Sequence, residues 1–441
     1  MTPGNAREAA FLSLLRIEKE SRYSNLETDL TLKKQNLSDA DARLYTRLFY
    51  GTLERKLTLD YILSKLTSKP LEKLDREVTA LLRLSAYQIL YADRIPDSAA
   101  VNEGVELCKK YRKSAAPMVN AVLRRLIRER EALAFPSEEK EPVAYLSAFF
   151  SVSPDICALF LDRFGMEETK KLLAAMNETP PTALRVNTLK TSREALAERL
   201  RVRGILCEET ALSPCGLKVR AAISDLPELS EGLCFVQDEA SQLCTAALNA
   251  QPGMTLLDLC ACPGGKSFGA AMTMENSGKI VSFDLHANKL PLIEKGAERL
   301  GVSILSTAAA DARVFLPEWE EKADRILCDV PCSGLGVLAK KPEIRYKDLA
   351  ESEKLPQIQK DILDNACRYL KKGGRLIYST CTLLRRENEE IVDGFLASHP
   401  DFEEAPLDLP GNLAAGASRL TLLPHIHGTD GFFIAAIGRK E

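Results

Sequence analysis

At 441 residues the chain exceeds what one hydrophobic core usually organises, so two or three domains are expected. Its 45% hydrophobic and 27% charged residues exclude a disordered or fibrous protein. The formal net charge of -3 hides an asymmetry, since residues 1–145 carry 25 Lys and Arg against 21 Asp and Glu while the remainder is acidic.

No apolar run reaches about 18 residues, and Arg7 and Glu8 fall where a signal peptide would need an apolar stretch. A cytoplasmic protein with no membrane partner is the expectation. Twelve cysteines scattered through a long chain without an export signal read as reduced thiols rather than a disulfide framework. There is no C-x-x-C pair and only four histidines, so no metal site is expected. Cys108, Cys157 and Cys244 read as small core residues.

From Asn5 to about Phe135 apolar residues recur at three- and four-residue spacings, as in "AAFLSLLRI" and "VTALLRLSAYQILY", which predicts an all-helical domain over residues 1–140. Between Lys109 and Arg130 stand eight basic residues and one acid. That cluster fits either an electrostatic footprint for a phosphate backbone or a solvated helix face. Residues 141–234 read as a helical connector and a small α+β segment. Within it "TALRVNTLK" alternates like a strand, "TSREALAERLRVRG" runs as a capped helix and "GLKVR" is strand-like again.

From residue 235 to 441 strands and helices alternate: "TLLDLC", "GGKSFGAAMTM", "GKIVSFDL", "ANKLPLIEKGAERLG", "ADRILCDV", "LPQIQKDILDNACRYL" and "GRLIYST". This predicts an α/β doubly wound, Rossmann-like sheet with a largely parallel core. In such folds ligands bind at the carboxyl ends of the strands.

The first strand ends in "DLCACPGGKS". Pro263 shapes a turn, Gly264 and Gly265 let a ligand approach the backbone, and the next helix offers unpaired N–H groups to an anion. The "GGKS" ending suggests a nucleotide phosphate loop, but Cys260 stands where its first glycine should be, and G-x-G-x-x-G is also absent. Asp284 ends the second strand, about 20 residues after the glycines, where an acid can bind a ribose diol. Asp311 is placed to meet an adenine amino group. S-adenosylmethionine, a nucleoside cofactor ending in a carboxylate, fits this set.

Two further strand ends deliver "DVPCSGLG" and "STCT", bringing the thiols of Cys332 and Cys381 to neighbouring edges of one expected pocket. Carbon 5 of a pyrimidine is too weak a nucleophile to take a methyl group directly. A thiolate adding at carbon 6 makes it enamine-like, and a second thiol and a carboxyl group suit the proton loss and thiolate expulsion that complete the reaction. Asp329, if protonated or sharing a proton, could bind the ring at N3 and stabilise the adduct.

"DLCACPGGKS", "FDLHANKL", "DVPCSGLG" and "YSTCTLLRRENE", in this order, resemble the motif series of the Sun/NOP2-type RNA cytosine-5 methyltransferases. "RVNTLK", "FVQDEASQL" and "GTDGFFIAAI" extend the likeness to residues 180–441. The resemblance implies Cys381 as nucleophile and Cys332 as the residue that helps resolve the covalent intermediate. It also implies S-adenosylmethionine held by Cys260, Ala261, Cys262, Pro263, Gly264, Gly265 and Lys266, with Asp284, Asp311 and Asp329 as further contacts. Cys262, Ser267 and Lys341 depart from the residues usual in that family. The helical domain is similar to NusB-like RNA-binding domains of bacterial members, which implies as partner a 16S ribosomal RNA not yet assembled into a subunit. Nothing in the sequence specifies dimerisation, so a monomer is expected. An NTPase, suggested by "GGKS" and the strand-end Asp of "RILCDV", and an RNA-binding module with an inactive catalytic half are the competing readings.

Overall fold

Ser38 marks the kind of local signal that shapes the N-terminal part of the chain: its hydroxyl accepts from the Asp41 N–H and opens a helix at Asp39. The structure, a computed structural model, describes residues 5–20, 24–35 and 37–441, so the first four residues lie outside it. The chain divides into two units, residues 1–178 with 338–348, and residues 179–337 with 349–441.

In the first unit the described residues form helices α1 (Ala6–Glu20), α2 (Ser24–Gln35), α3 (Asp39–Glu54), α4 (Lys56–Leu66), α5 (Arg76–Tyr91), α6 (Asp97–Arg112), α7 (Ala116–Glu129), α8 (Pro142–Phe150) and α9 (Pro154–Ala175). Phe11, Tyr45, Phe49, Leu63, Leu81 and Leu123, drawn from five of these helices, share one core. The three- and four-residue spacing of apolar residues puts each on its helix's inward face. Gly165, at φ +75°, interrupts α9. Residues 338–348 join this unit although they lie between two strands of the other. Their anchor is Arg345, fully buried, whose guanidinium donates to the carbonyls of Phe150 and Met176.

The basic cluster on α6 and α7 is largely spent on neighbouring acids. Lys109 pairs with Glu106, Lys110 with Glu8, Arg112 with Glu77, Arg125 with Glu129 and Arg130 with Asp97. Among the described residues Lys113, Arg124 and Arg128 are exposed and carry no ion pair. Asn120, Arg124 and Arg128, at four-residue spacing, line one face of α7, and Arg124 donates to Asn120 Oδ1 at 3.1 Å.

The second unit holds two sheets. The smaller is antiparallel, with β1 (Thr182–Val186), β2 (Cys207–Glu209), β3 (Gly216–Val219) and β4 (Cys234–Val236) in the order β2-β3-β1-β4. It is the sheet of the α+β segment, and helix α10 (Arg193–Val202) packs Leu196, Ala197 and Leu200 into its core.

The larger sheet contains β5 (Thr255–Asp258), β6 (Lys279–Asp284), β7 (Leu305–Ala309), β8 (Ala323–Asp329), β9 (Leu370–Thr380), β10 (Phe402–Glu404), β11 (Arg419–Leu422) and β12 (Phe432–Arg439). Its order is β10-β12-β9-β8-β5-β6-β7. Strands β5 to β9 pair in parallel, whereas β12 runs antiparallel to β9 and carries β10 and β11 on its other side. The apolar runs of β5, β6 and β8 are covered on both faces, as parallel strands require. The antiparallel edge was not among the elements expected from the sequence, because "FFIAAIGR" is apolar almost throughout and has no period to read. Among the described residues no single helix is long and apolar enough to cross a membrane. Cys108, Cys157 and Cys244 are fully buried, as expected.

Candidate active site

The sheet order reverses at β5, which pairs with β6 on one side and β8 on the other. A crevice opens at such a point beyond the strand ends, and here it is bordered by the turns and loops leaving β5, β8 and β9. After β5 the chain makes a tight turn in which the Ala261 N–H donates to the Phe283 carbonyl and the Gly264 N–H to the Ala261 carbonyl. The Cys262–Pro263 bond is cis. Gly264 adopts φ +99°, and a Cβ there would stand 2.6 Å from the Phe268 ring, so both backbone and packing demand glycine. The helix that begins at Gly265 and runs to Thr273 has no side-chain cap, which leaves its first N–H groups available to an anion.

Lys266 turns toward β8. Its ammonium lies 2.6 Å from Asp329 Oδ2 and 5.2 Å from the centre of the Phe432 ring. Ser379, at the end of β9, donates to Asp329 Oδ1 at 2.8 Å. Asp329 therefore holds two donors. Both of its oxygens are thus engaged at the strand ends.

Beneath this pair Asp258 is almost fully buried. Ser267 donates to its Oδ2 at 2.6 Å and also meets Ser282 at 2.8 Å, while Asp258 Oδ1 has no partner. Burial pushes the Asp258 carboxyl up to about 7, against the stabilising Ser267 hydrogen bond and with the Asp329 charge adding to the rise. The Cys260 thiol is pushed far up by burial and by the surrounding carboxylates of Asp258, Asp329, Asp284 and Asp311. The four acids are thus gathered at one edge of the sheet, as the strand-end reading requires.

Asp284, at the end of β6, accepts from the His286 N–H at 2.9 Å through Oδ1 and stands 3.9 Å from the Lys289 ammonium. Asp311, just beyond β7, is clasped by Arg313 through Nε and Nη2 at 2.9 and 2.6 Å. That fork holds Asp311 below the usual carboxylate range. Its carboxylate is already engaged, a partner the sequence reading did not foresee.

Cys332 and Cys381 come together: their sulfurs lie 3.3 Å apart. Cys332 is raised well above the ordinary thiol range, first by its hydrogen bond with Cys381, then by burial and by the negative charges of Cys381 and Glu387. Either sulfur can donate to the other across this contact, and the rise at Cys332 favours its protonated form. The two loops are cross-linked by a 2.7 Å bond between the Ser333 and Thr382 hydroxyls and by the Gly336 N–H, which donates to the Cys381 carbonyl at 2.9 Å.

Sequence reasoning found the thiols, the turn and the aspartates. It did not assign Ser379, Ser333, Thr382 or Glu387. A run of hydroxyl residues around "TC" is a signal for Ser379 and Thr382, because short polar side chains at a strand end seek hydrogen bonds.

The family model described as 16S rRNA methyltransferase RsmB/F matches residues 245–438. The NusB family model matches residues 4–128, and a ferredoxin-like domain of the RsmF/B-like methyltransferases matches residues 157–224. A probable ribosomal RNA small subunit methyltransferase B of Bacillus subtilis is 38% identical over 100% of both chains. The ribosomal RNA small subunit methyltransferase B of Pseudomonas putida is 34% identical over 99% of this chain and 98% of its own. Among solved structures, PH0851 superposes with a TM-score of 0.81 at 27% identity, covering 100% of this chain and 99% of the other. NSun6 from Pyrococcus horikoshii with SFG gives 0.58 at 25% identity over 64% of this chain and 97% of its own. With these full-length likenesses resting on a NusB domain, a ferredoxin-like domain and a methyltransferase sheet, the chain belongs to the RsmB/F family of rRNA methyltransferases.

Proposed function

We propose that this chain transfers the methyl group of S-adenosylmethionine to carbon 5 of a cytosine in 16S ribosomal RNA, with Cys381 as the covalent nucleophile. The observation that carries the reading is the 3.3 Å thiol pair at the strand ends.

The residues present fit the cofactor. The glycine turn and the uncapped helix start at Gly265 suit its carboxylate, and Asp284 leaves Oδ2 for a ribose hydroxyl. Cys260, Ala261, Cys262, Pro263, Gly264 and Gly265 would form the wall over which it lies, with Lys266 fixing Asp329 at its far side. Asp311, oriented by Arg313, is the candidate for the adenine amino group. When bound, the group supplies an electrophilic sulfonium methyl.

Once its thiol proton has passed to a base, the Cys381 sulfur bonds to carbon 6 of the ring, and the carbon 5–carbon 6 electron pair moves to carbon 5, which takes the methyl. Loss of the carbon 5 proton to a base then restores the double bond and expels the sulfur. The Cys332 thiol, within reach of the sulfur as it leaves, can hydrogen-bond it and stabilise its negative charge. Asp329, held between Lys266 and Ser379, provides an acceptor for the ring's amino group at the same edge. The base has to leave its stack to reach these groups, so unassembled RNA is the natural substrate. Lys113, Arg124 and Arg128 would contact phosphates. The monomeric state and the cytoplasmic location belong to this proposal.

Transfer of labelled methyl from S-adenosylmethionine to a naked 16S rRNA transcript, followed by nucleoside identification, tests it. Label in 5-methylcytosine is expected with wild type and none with Cys381→Ala. Label in another nucleoside would refute the carbon 5 assignment, and undiminished transfer by Cys381→Ala would refute the nucleophile.

A further inference from the structure

We propose that Glu387 is a positioning residue for the closing half of the reaction, gripping the turn that carries Cys332 so that its thiol stays within reach of Cys381. The proposal rests on the covalent role of Cys381.

Glu387 is fully buried, six residues past Cys381. Its Oε2 accepts from the Ser333 N–H at 2.9 Å and from Gln359 Nε2 at 2.9 Å. Gln359 Nε2 also donates to the Pro331 carbonyl at 3.0 Å. Both residues that flank Cys332 are thus tied to one carboxylate, Ser333 directly and Pro331 through Gln359. The anchor itself is fixed, because the Tyr378 hydroxyl donates to the Glu387 carbonyl at 2.6 Å. The next residue, Asn388, accepts from the Thr380 hydroxyl at 2.6 Å and donates to the Thr382 carbonyl at 3.0 Å, which holds the two neighbours of Cys381. The dipeptide Glu387-Asn388 therefore grips the chain on either side of each thiol.

A carboxylate is a costly choice for a purely mechanical clamp. A neutral amide could accept from Ser333 without the desolvation of a buried charge, and Glu387 Oε1 is buried with no hydrogen-bond partner. The charge does have an effect at Cys332, where it raises the thiol's affinity for its proton. Glu387 thus holds Cys332 in place and favours its protonated form. Loss of this control should spare the attack by Cys381 and hinder the expulsion of its sulfur.

The test compares wild type, Cys332→Ala, Glu387→Gln and Gln359→Met in multiple-turnover and single-turnover methyl transfer to a 16S rRNA transcript. Denaturing gels score the covalent RNA–protein adduct, and thermal melts follow folding. Glu387→Gln is expected to lower multiple turnover on the order of 100-fold, the scale of a misplaced reacting group. Single-turnover transfer should stay within a few-fold of wild type while adduct accumulates as it does in Cys332→Ala. Gln359→Met should shift the same partition to a smaller degree. If Cys332→Ala traps adduct but Glu387→Gln turns over like wild type and traps none, the role of Glu387 is refuted while the covalent reading stands. If neither Cys332→Ala nor wild type ever yields adduct, the covalent reading fails and this proposal with it. If Glu387→Gln melts early and loses both half-reactions, Gln359→Met decides: adduct accumulation supports the clamp and a wild-type partition overturns it.

Discussion

The Lys266 ammonium lies 2.6 Å from Asp329 Oδ2, and Ser379 completes the group by donating to the other oxygen. This links the turn after β5 to the ends of β8 and β9. Burial works against the charge on Lys266, yet the Asp329 charge and hydrogen bond overcome it and hold the ammonium above its ordinary range. The Lys266 charge is therefore sustained by Asp329. Lys266→Met and Asp329→Asn should each cut kcat/KM on the order of 100-fold. The double variant should be little worse than either, with a coupling of roughly 1 to 3 kcal/mol. Independent effects that simply add would show that the pair does not act as a unit.

Asp258 makes a prediction about pH. Its folded carboxyl titrates at about 7, whereas an unfolded one titrates near 3.9, so between these values the folded state binds more protons. Stability from this group is full below about pH 4, falls as the pH rises toward 7 and is flat above. Asp258→Asn, which cannot ionise, should remove that decline, so the melting temperature of the variant should gain on that of wild type from about pH 4 to pH 7. An unchanged difference across the window would exclude the buried, protonated Asp258.

Gly336 is pressed against the opposite loop. A Cβ at this position would stand 1.8 Å from the Gly431 carbonyl oxygen and 2.8 Å from that of Cys381. Backbone cannot yield as a side-chain tip can, so Gly336→Ala should cost about 1 to 3 kcal/mol. It should also separate the two thiol-bearing loops, slowing turnover by more than the loss of stability accounts for at a temperature where both proteins are folded. Chemical denaturation and single-turnover kinetics read the two effects apart.

The ion pairs of the helical unit divide its basic residues into spent and available ones. Arg124→Gln with Arg128→Gln should weaken binding of 16S rRNA fragments and reduce the salt dependence by roughly 0.7 for each phosphate no longer neutralised on single-stranded RNA. Arg112→Gln, which removes a residue already paired with Glu77, should change the slope little. Filter binding from low to high salt checks both.

How far the sequence could be read depends on where each signal resides. Cys332, Cys381, Asp284 and the turn from Cys260 to Lys266 were legible because strand ends and glycine turns are local features. The helices of the first unit were legible from their period. The antiparallel edge formed by β10, β11 and β12 was not, since β12 is apolar at nearly every position and its partners β10 and β11 are three- and four-residue strands. Nor could the sequence show that Arg313 clasps Asp311 or that Arg345 anchors residues 338–348 to the helical unit. Glu387 stood in a recognised motif, but its bond to Ser333 spans 54 residues and exists only once β8 and β9 lie side by side. The basic cluster left a phosphate footprint and a solvated helix face both open, because acids that pair with part of it, such as Glu8 and Glu77, come from other helices.

The central claim is that Cys381 is the nucleophile and Cys332 the residue that lets it go. The most direct measurement is mass spectrometry of the protein–RNA complex trapped by Cys332→Ala during turnover with S-adenosylmethionine and a 16S rRNA transcript. The account predicts one adduct, a methylated cytosine joined to the peptide containing Cys381, absent from the Cys332→Ala/Cys381→Ala double variant. A nucleotide attached elsewhere, or methylation proceeding in the double variant, would contradict it.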